Sequence, residues 1–232
     1  MDRLATMFSL RRRRVPWRQR SSRRGLWSFD YLHMRPLLAT LGDSQSYVTG
    51  KVLDVGCGRQ PYRGLFPGIK QYVGLDFDLE GSQPDVSGTS VQLPFRDEGF
   101  DTVLCTQVLE HVPDPFATVS EVARVLKPGG HLVLTAPQAW RLHEYPHDYY
   151  RFTRFGLAYM LRRHGLEPVR IVAQGGVWAL VGQTILNTLP HRHLFYMTAP
   201  LNLIVNSVFL VLDFIWHDTR DTLNHLVIAR KS

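Results

Sequence analysis

Cysteine is scarce here: Cys57 and Cys105 are the only two among 232 residues. Both sit in apolar, strand-like surroundings. A disulfide scaffold is not indicated, and a reducing, cytoplasmic compartment fits best. No apolar stretch of signal-peptide type follows the N-terminal arginines. No internal repeat is visible, and nothing outside the N-terminus is low in complexity. Excess charge is also missing from most of the chain. The net charge is +7, but residues 1–24 hold nine arginines against Asp2 and supply +8, so residues 25–232 sum to −1. A near-neutral body argues against a dedicated nucleic-acid enzyme, whose binding face is basic.

The basicity is therefore a tail, "RRRRVPWRQRSSRR". It reads as a disordered, solvated extension over residues 1–24. An anionic membrane surface is the partner it otherwise suits, ahead of nucleic acid. Residues 25–232 are long enough for one domain with a full core. Hydrophobic content of 44% and charge of 20% are ordinary for a globular protein.

A lead-in helix is expected over 26–41. A β/α alternation follows, with strands at 51–56, 71–76, 84–88, 100–107, 130–137, 169–174 and 224–231. The clearest helix lies between the fourth and fifth strands. Asp114 is its N-cap, Pro115 suits its first turn, and "KPGG" stops it. This order predicts an α/β fold with a mostly parallel, doubly wound, Rossmann-like sheet of seven strands.

An apolar insertion occupies about 176–222, before the last strand. Its core, residues 194–216, has one charge and is long enough to span a bilayer. Pro200 interrupts it. Asn202, Asn206 and Asp213 fall within about 40° of one another on a helix. That polar stripe favours a packed helical cap offering polar groups to a cavity. In-plane membrane contact and a true span are the other readings.

"KVLDVGCGRQPY" (51–62) is an apolar run ending in an acid and a glycine turn. The dinucleotide fingerprint has a third glycine where this chain has Pro61, so NAD is disfavoured. A P-loop needs Gly-Lys-Ser/Thr, and none follows. S-adenosylmethionine suits the residues better. Its methionine end carries an ammonium and a carboxylate. Asp54 complements the first, while Gly56 and Gly58 let backbone N–H groups approach the second. Asp76, ending the next strand, can accept both ribose hydroxyls.

Four segments in order then resemble the class I S-adenosylmethionine-dependent methyltransferases of the type 11 group: "VLDVGCG", "GLDFD", "LPFRDEGFDTVLCTQVLEHVPDP" and "RVLKPGGHLVLTAP". The resemblance covers about 48–174 plus the last strand. It implies that Asp54, Gly56 and Gly58 line the methionine moiety and that Asp76 and Phe77 hold the ribose and flank adenine. Thr106 and Gln107 would lie near the sulfonium. Relatives often carry an acid for the adenine amine where Thr89 stands here, and a hydroxyl is a weaker acceptor.

Methyl transfer from a sulfonium needs alignment, and a base where the acceptor loses a proton. Candidates are Glu110 and His111 after the fourth strand, and His143 and His147 in "RLHEYPHDYYRFT" after the fifth. The bland alternatives are a bracing Glu110, a packed His111, and a loop held by Asp148, Arg151 and Thr153. His143 and His147 are four apart, but Pro146 breaks a helical face, so no metal site is expected. The acceptor implied is small or lipid-linked. The greasy insertion motivates the lipid, and the tail would hold the enzyme at an anionic membrane. The Asn-Pro-Pro-Tyr type motif of exocyclic-amine methyltransferases is missing, which disfavours nucleic acid. A protein target and a non-catalytic partner-binding role are the remaining alternatives.

Overall fold

The computed structural model describes residues 25–79, 81–189 and 195–232. The Arg-rich tail expected over 1–24 lies outside them, as does Leu194 at the start of the expected apolar run. Seven strands form one sheet in the order β3-β2-β1-β4-β5-β7-β6. They are β1 (Gly50–Val55), β2 (Ile69–Asp76), β3 (Val86–Ser87), β4 (Phe100–Thr106), β5 (Leu126–Pro137), β6 (Leu166–Gln174) and β7 (Asn224–Lys231). Only β7 runs against its neighbours. The carboxyl ends of β1, β2, β4, β5 and β6 therefore share one edge, where sites in such sheets form.

The strands read as apolar runs because both faces are covered. Helix α1 (Tyr31–Gly42) brings Leu37 and Leu41 onto Val52, Leu104, Val133 and Ile228. Helices α2 (Pro115–Val125) and α3 (Arg154–Arg162) cover the other face, with Val119, Val122, Leu157 and Leu161 against Leu53, Val103 and Leu132. Local chemistry starts both. Asp114 accepts from the Ala117 N–H at 3.0 Å, and Thr153 accepts from the Gly156 N–H at 3.1 Å.

One boundary differs from the sequence expectation. Helix α2 passes straight into β5, which begins at Leu126 rather than 130. The "KPGG" stretch is an irregular start to the strand, with a register shift against β4. Gly129 adopts φ +77°, and a Cβ on Gly130 would lie 2.9 Å from the carbonyl oxygens of Asp101 and Lys127. Those glycines let the chain turn from helix to strand without a loop.

The insertion forms α4 (Val177–Asn187) and α5 (Phe195–Ile215). Helix α4 starts just past β6, and the Asn187 carbonyl accepts from Arg141, beyond β5, at 2.7 Å. It therefore lies across the carboxyl edge of the sheet. Helix α5 continues through Pro200, which forfeits one helical N–H near the start.

The polar stripe of α5 meets backbone, although Asn202 Oδ1 and Asn206 Oδ1 are buried with no hydrogen-bond partner among the described residues. Asn202 donates to the Trp27 carbonyl at 3.0 Å. Asn206 donates to the carbonyls of Leu26 and Ser28 at 2.6 and 2.9 Å. Asp213 accepts from the N–H groups of Gly176 and Ala179, both at 3.2 Å. The stripe binds backbone, because irregular chain beside an apolar helix has polar groups that need partners. The opposite side of α5 is bare. Leu201, Ile204, Val208, Val211 and Ile215 are all exposed. By length and composition alone, α5 is the one helix among the described residues that could cross a membrane.

Candidate active site at the carboxyl edge

The turn after β1 is left-handed at Gly56 (φ +68°) and Gly58 (φ +52°), conformations that glycine adopts without strain. A Cβ on Gly56 would fall 2.5 Å from Val108, whereas one on Gly58 would meet nothing within 4 Å. The first glycine permits packing, and the second leaves open space for a ligand. Asp76 ties β2 to this turn. Its carboxylate accepts from the Gly58 N–H at 2.9 Å and the Asp78 N–H at 3.0 Å.

Asp54 lies buried behind the turn and accepts a hydrogen bond from the Tyr72 hydroxyl. Burial pushes its carboxyl up to about 7, Tyr72 opposes that shift, and the Asp76 charge adds to it. An acid so poised beside free backbone space suits a cationic ligand group, and the ammonium of S-adenosylmethionine is one. The two acids and the open space at Gly58 fit that cofactor, whereas the expected backbone donors are engaged: the Gly56 and Cys57 N–H groups donate to the Leu75 carbonyl and the Gly58 N–H to Asp76. Tyr72 was not foreseen from the sequence, since only the parallel register of β1 on β2 sets it beside Asp54.

Phe77 follows β2 and is 71% exposed, available to lie against a flat ligand. Thr89 lies in a short bridge with Gln92, and the Gly88 N–H donates to the Asp76 carbonyl at 3.1 Å, which keeps this loop beside the end of β2. Thr106 closes β4 and is buried. Gln107 turns the chain in a left-handed conformation (φ +56°). Its side-chain amide donates to the Thr135 hydroxyl at 3.2 Å.

The structure brings three of the four candidate catalytic side chains together. Glu110 is fully buried, and neither carboxyl oxygen has a hydrogen-bond partner among the described residues. Burial raises it to about 8. His111 directs Nδ1 at the His147 carbonyl, 2.6 Å away. A carbonyl only accepts, so Nδ1 donates and Nε2 is left facing Glu110 Oε1 at 3.8 Å. His143 is oriented the same way: Nδ1 faces Asp148 Oδ2 at 3.2 Å, so that in the neutral imidazole Nε2 is the nitrogen free to accept a proton. Burial and the neighbouring His111 hold the His143 imidazole below its usual range, with Asp148 opposing.

The loop that carries His143 is firmly braced. Arg151 donates to both oxygens of Asp148 at 2.6 and 2.9 Å, and the His143 N–H donates to Asp148 at 2.9 Å. The Arg151 hydrogen bonds, foremost, hold the Asp148 carboxyl well below the usual carboxylate range. The Tyr149 N–H ties the loop back to the Glu110 carbonyl at 2.8 Å. The bracing role expected of Asp148 and Arg151 is thus what holds the candidate base His143 in place. His147 stands apart: its ring meets the Tyr149 hydroxyl at 3.0 Å, and it reaches the cluster through its carbonyl. Among the described residues, the donors that could share a metal are Glu110, His111 and His143, whose ligand atoms lie within 4.8 Å of one another, rather than His143 with His147.

Residues 53–134 match the family model described as a methyltransferase domain. A ubiquinone biosynthesis O-methyltransferase from Thiobacillus denitrificans is 32% identical over 173 residues, covering 60% of this chain and 75% of that one. A protein of the same name from Alkalilimnicola ehrlichii is 30% identical over 127 residues, covering 48% of this chain and only about half, 49%, of its own length. Among solved structures, a SAM-dependent methyltransferase from Archaeoglobus fulgidus has a TM-score of 0.55 at 18% identity, covering 88% of this chain and 98% of that one.

Proposed function

This chain belongs to the class I S-adenosylmethionine-dependent methyltransferases, and we propose that it methylates a hydroxyl oxygen of a small, lipid-linked acceptor. The observation that carries the reading is the His143–Asp148 pair set beside His111 and the unpartnered Glu110 carboxyl, on the same sheet edge as the glycine turn. A base held by a second group is the arrangement that proton removal needs. The name shared by the relatives supports oxygen as the target. The apolar α4–α5 cap across that edge supports a lipid-linked acceptor.

When bound, S-adenosylmethionine supplies a methyl group already activated on a sulfonium. The work left to the protein is holding, aligning and deprotonating. Asp54, with the open space at Gly58, would hold the methionine end. Asp76 accepts from the ribose hydroxyls, Phe77 covers the adenine, and Thr89 offers it a hydroxyl. Thr106 and Gln107 border the reacting end. The acceptor proton passes to Nε2 of His143. Asp148 then stabilises the imidazolium, as it is held ionised by Arg151. His111, fixed by the His147 carbonyl, closes the other side.

Calorimetry of S-adenosylmethionine and S-adenosylhomocysteine on wild type and Asp76→Ala tests the cofactor site. Methyl transfer to catechol and to a long-chain alkylcatechol tests the acceptor. The reading expects micromolar binding lost in Asp76→Ala, preference for the alkylated acceptor, and a fall in kcat of about 10²–10⁴-fold in His143→Ala with binding kept. Full turnover by His143→Ala would remove the base from this account.

A further inference from the structure

We propose that the outward face of α5 is a membrane-docking surface that lies in the plane of an anionic bilayer, with the Arg-rich segment 1–24 as its electrostatic partner. The inference goes beyond methyl transfer and holds whatever the acceptor is.

Leu201, Ile204, Val208, Val211 and Ile215 alternate at spacings of three and four, so they form one stripe along α5. Their exposures are 44%, 60%, 49%, 57% and 73%. Phe214 (88%) and Trp216 (68%) extend the apolar surface at the C-terminal end. No Asp, Glu, Lys or Arg occurs from Phe195 to Leu212. A soluble surface rarely carries so continuous an apolar stripe unless something covers it.

The bilayer is favoured over another occupant by where the charge enters. Asn202 and Asn206 grip the carbonyls of Leu26, Trp27 and Ser28. The chain that directly follows residues 1–24, which hold nine arginines, is therefore fastened to α5. A helix that joins a free apolar face to a dense cationic segment tethered at its other side is the combination that anionic interfaces select: the apolar face enters the acyl boundary while the arginines meet headgroups.

The same contacts exclude a span. To cross the bilayer, α5 would strip Asn202, Asn206 and Asp213 of their backbone partners and carry them into hydrocarbon. Lying flat keeps every one of these bonds. The C-terminal end of α5 is pinned by Asp213 to Gly176, just past β6. Docking there sets the carboxyl edge of the sheet, and with it the active site, near the lipid surface.

The test is co-sedimentation of the full-length protein with vesicles of phosphatidylcholine containing 30% phosphatidylglycerol, and with phosphatidylcholine alone. The inference expects binding to the first that exceeds the second at least tenfold. Val208→Glu/Val211→Glu, and separately glutamine at Arg11, Arg12, Arg13 and Arg14, should each cut binding at least tenfold. S-adenosylhomocysteine affinity, measured by calorimetry, reports that each variant is folded and separates this proposal from the methyltransferase reading. Wild type that ignores anionic vesicles, or a folded α5 variant that binds them like wild type, overturns it. So does a wild-type dimer in sedimentation velocity that the α5 variant abolishes without any vesicle binding, which would make the face a contact between copies.

Discussion

The imidazoles of His111 and His143 meet edge to face, with ring centres 4.6 Å apart, beside the buried carboxyl of Glu110. They arrive from different strands, β4 and β5, and each is turned by an acceptor at its own Nδ1. That arrangement has a kinetic signature. The His143 imidazole sits below its usual range, so kcat should rise with pH through that lowered value and then level off. Asp148 opposes the lowering. Asp148→Asn should therefore move the rising limb to still lower pH and reduce kcat by about 10²-fold. A pH profile of kcat at saturating cofactor reads both effects; an unmoved limb would separate Asp148 from the base.

Stability should depend on pH through the two raised carboxyls. Asp54 is pushed up to about 7 and Glu110 to about 8, in both cases chiefly by burial. Each holds its proton more tightly in the folded protein than in the unfolded chain. Their contribution is fully present below pH 4 and is lost as pH rises through 7 to 8. The Tm of the ligand-free protein should fall across pH 5–8, and Glu110→Gln should flatten that fall. Differential scanning calorimetry across the range decides it.

The two turn glycines should fail differently. At Gly56 a Cβ collides with Val108, whereas at Gly58 it meets open space. Gly56→Ala should destabilise the fold itself. Gly58→Ala should cost only about 1 kcal/mol, from the left-handed backbone, yet lose cofactor affinity because the methyl occupies ligand space. Thermal melts paired with calorimetry distinguish the two.

Asn206 is fully buried and serves two carbonyls. Asn206→Leu keeps the bulk but leaves those acceptors unmet. It should destabilise the protein by about 1–3 kcal/mol, visible in urea unfolding, with little change in kcat for the molecules that remain folded.

The features legible in the sequence are those set by neighbours along the chain. Asp114 and Thr153 cap the helices they precede because the bonds they accept come from three residues on. The glycine turn and its flanking acids sit at strand ends, where alternation places them. The stripe of Asn202, Asn206 and Asp213 was legible as a stripe, but not what it faces. Its partners at Leu26, Trp27 and Ser28 lie 175 or more residues away, and nothing local encodes them. The grouping of His143 with His111, without the His147 ring, depends on a loop folded around the Asp148–Arg151 pair. Spacing along the sequence offered His143 or His147 as the base and had no means of choosing between them.

The position of β7 has a consequence for how the protein is made. It is the last strand along the chain, yet it sits between β5 and β6, hydrogen-bonded to both and buried along most of its length. During synthesis β5 and β6 are therefore complete while the gap between them is still open, with two unpaired edges facing water. Such edges invite pairing with other chains. Those two edges stay open until residues 224–231 pair between them, and loss of that strand would leave them open for good.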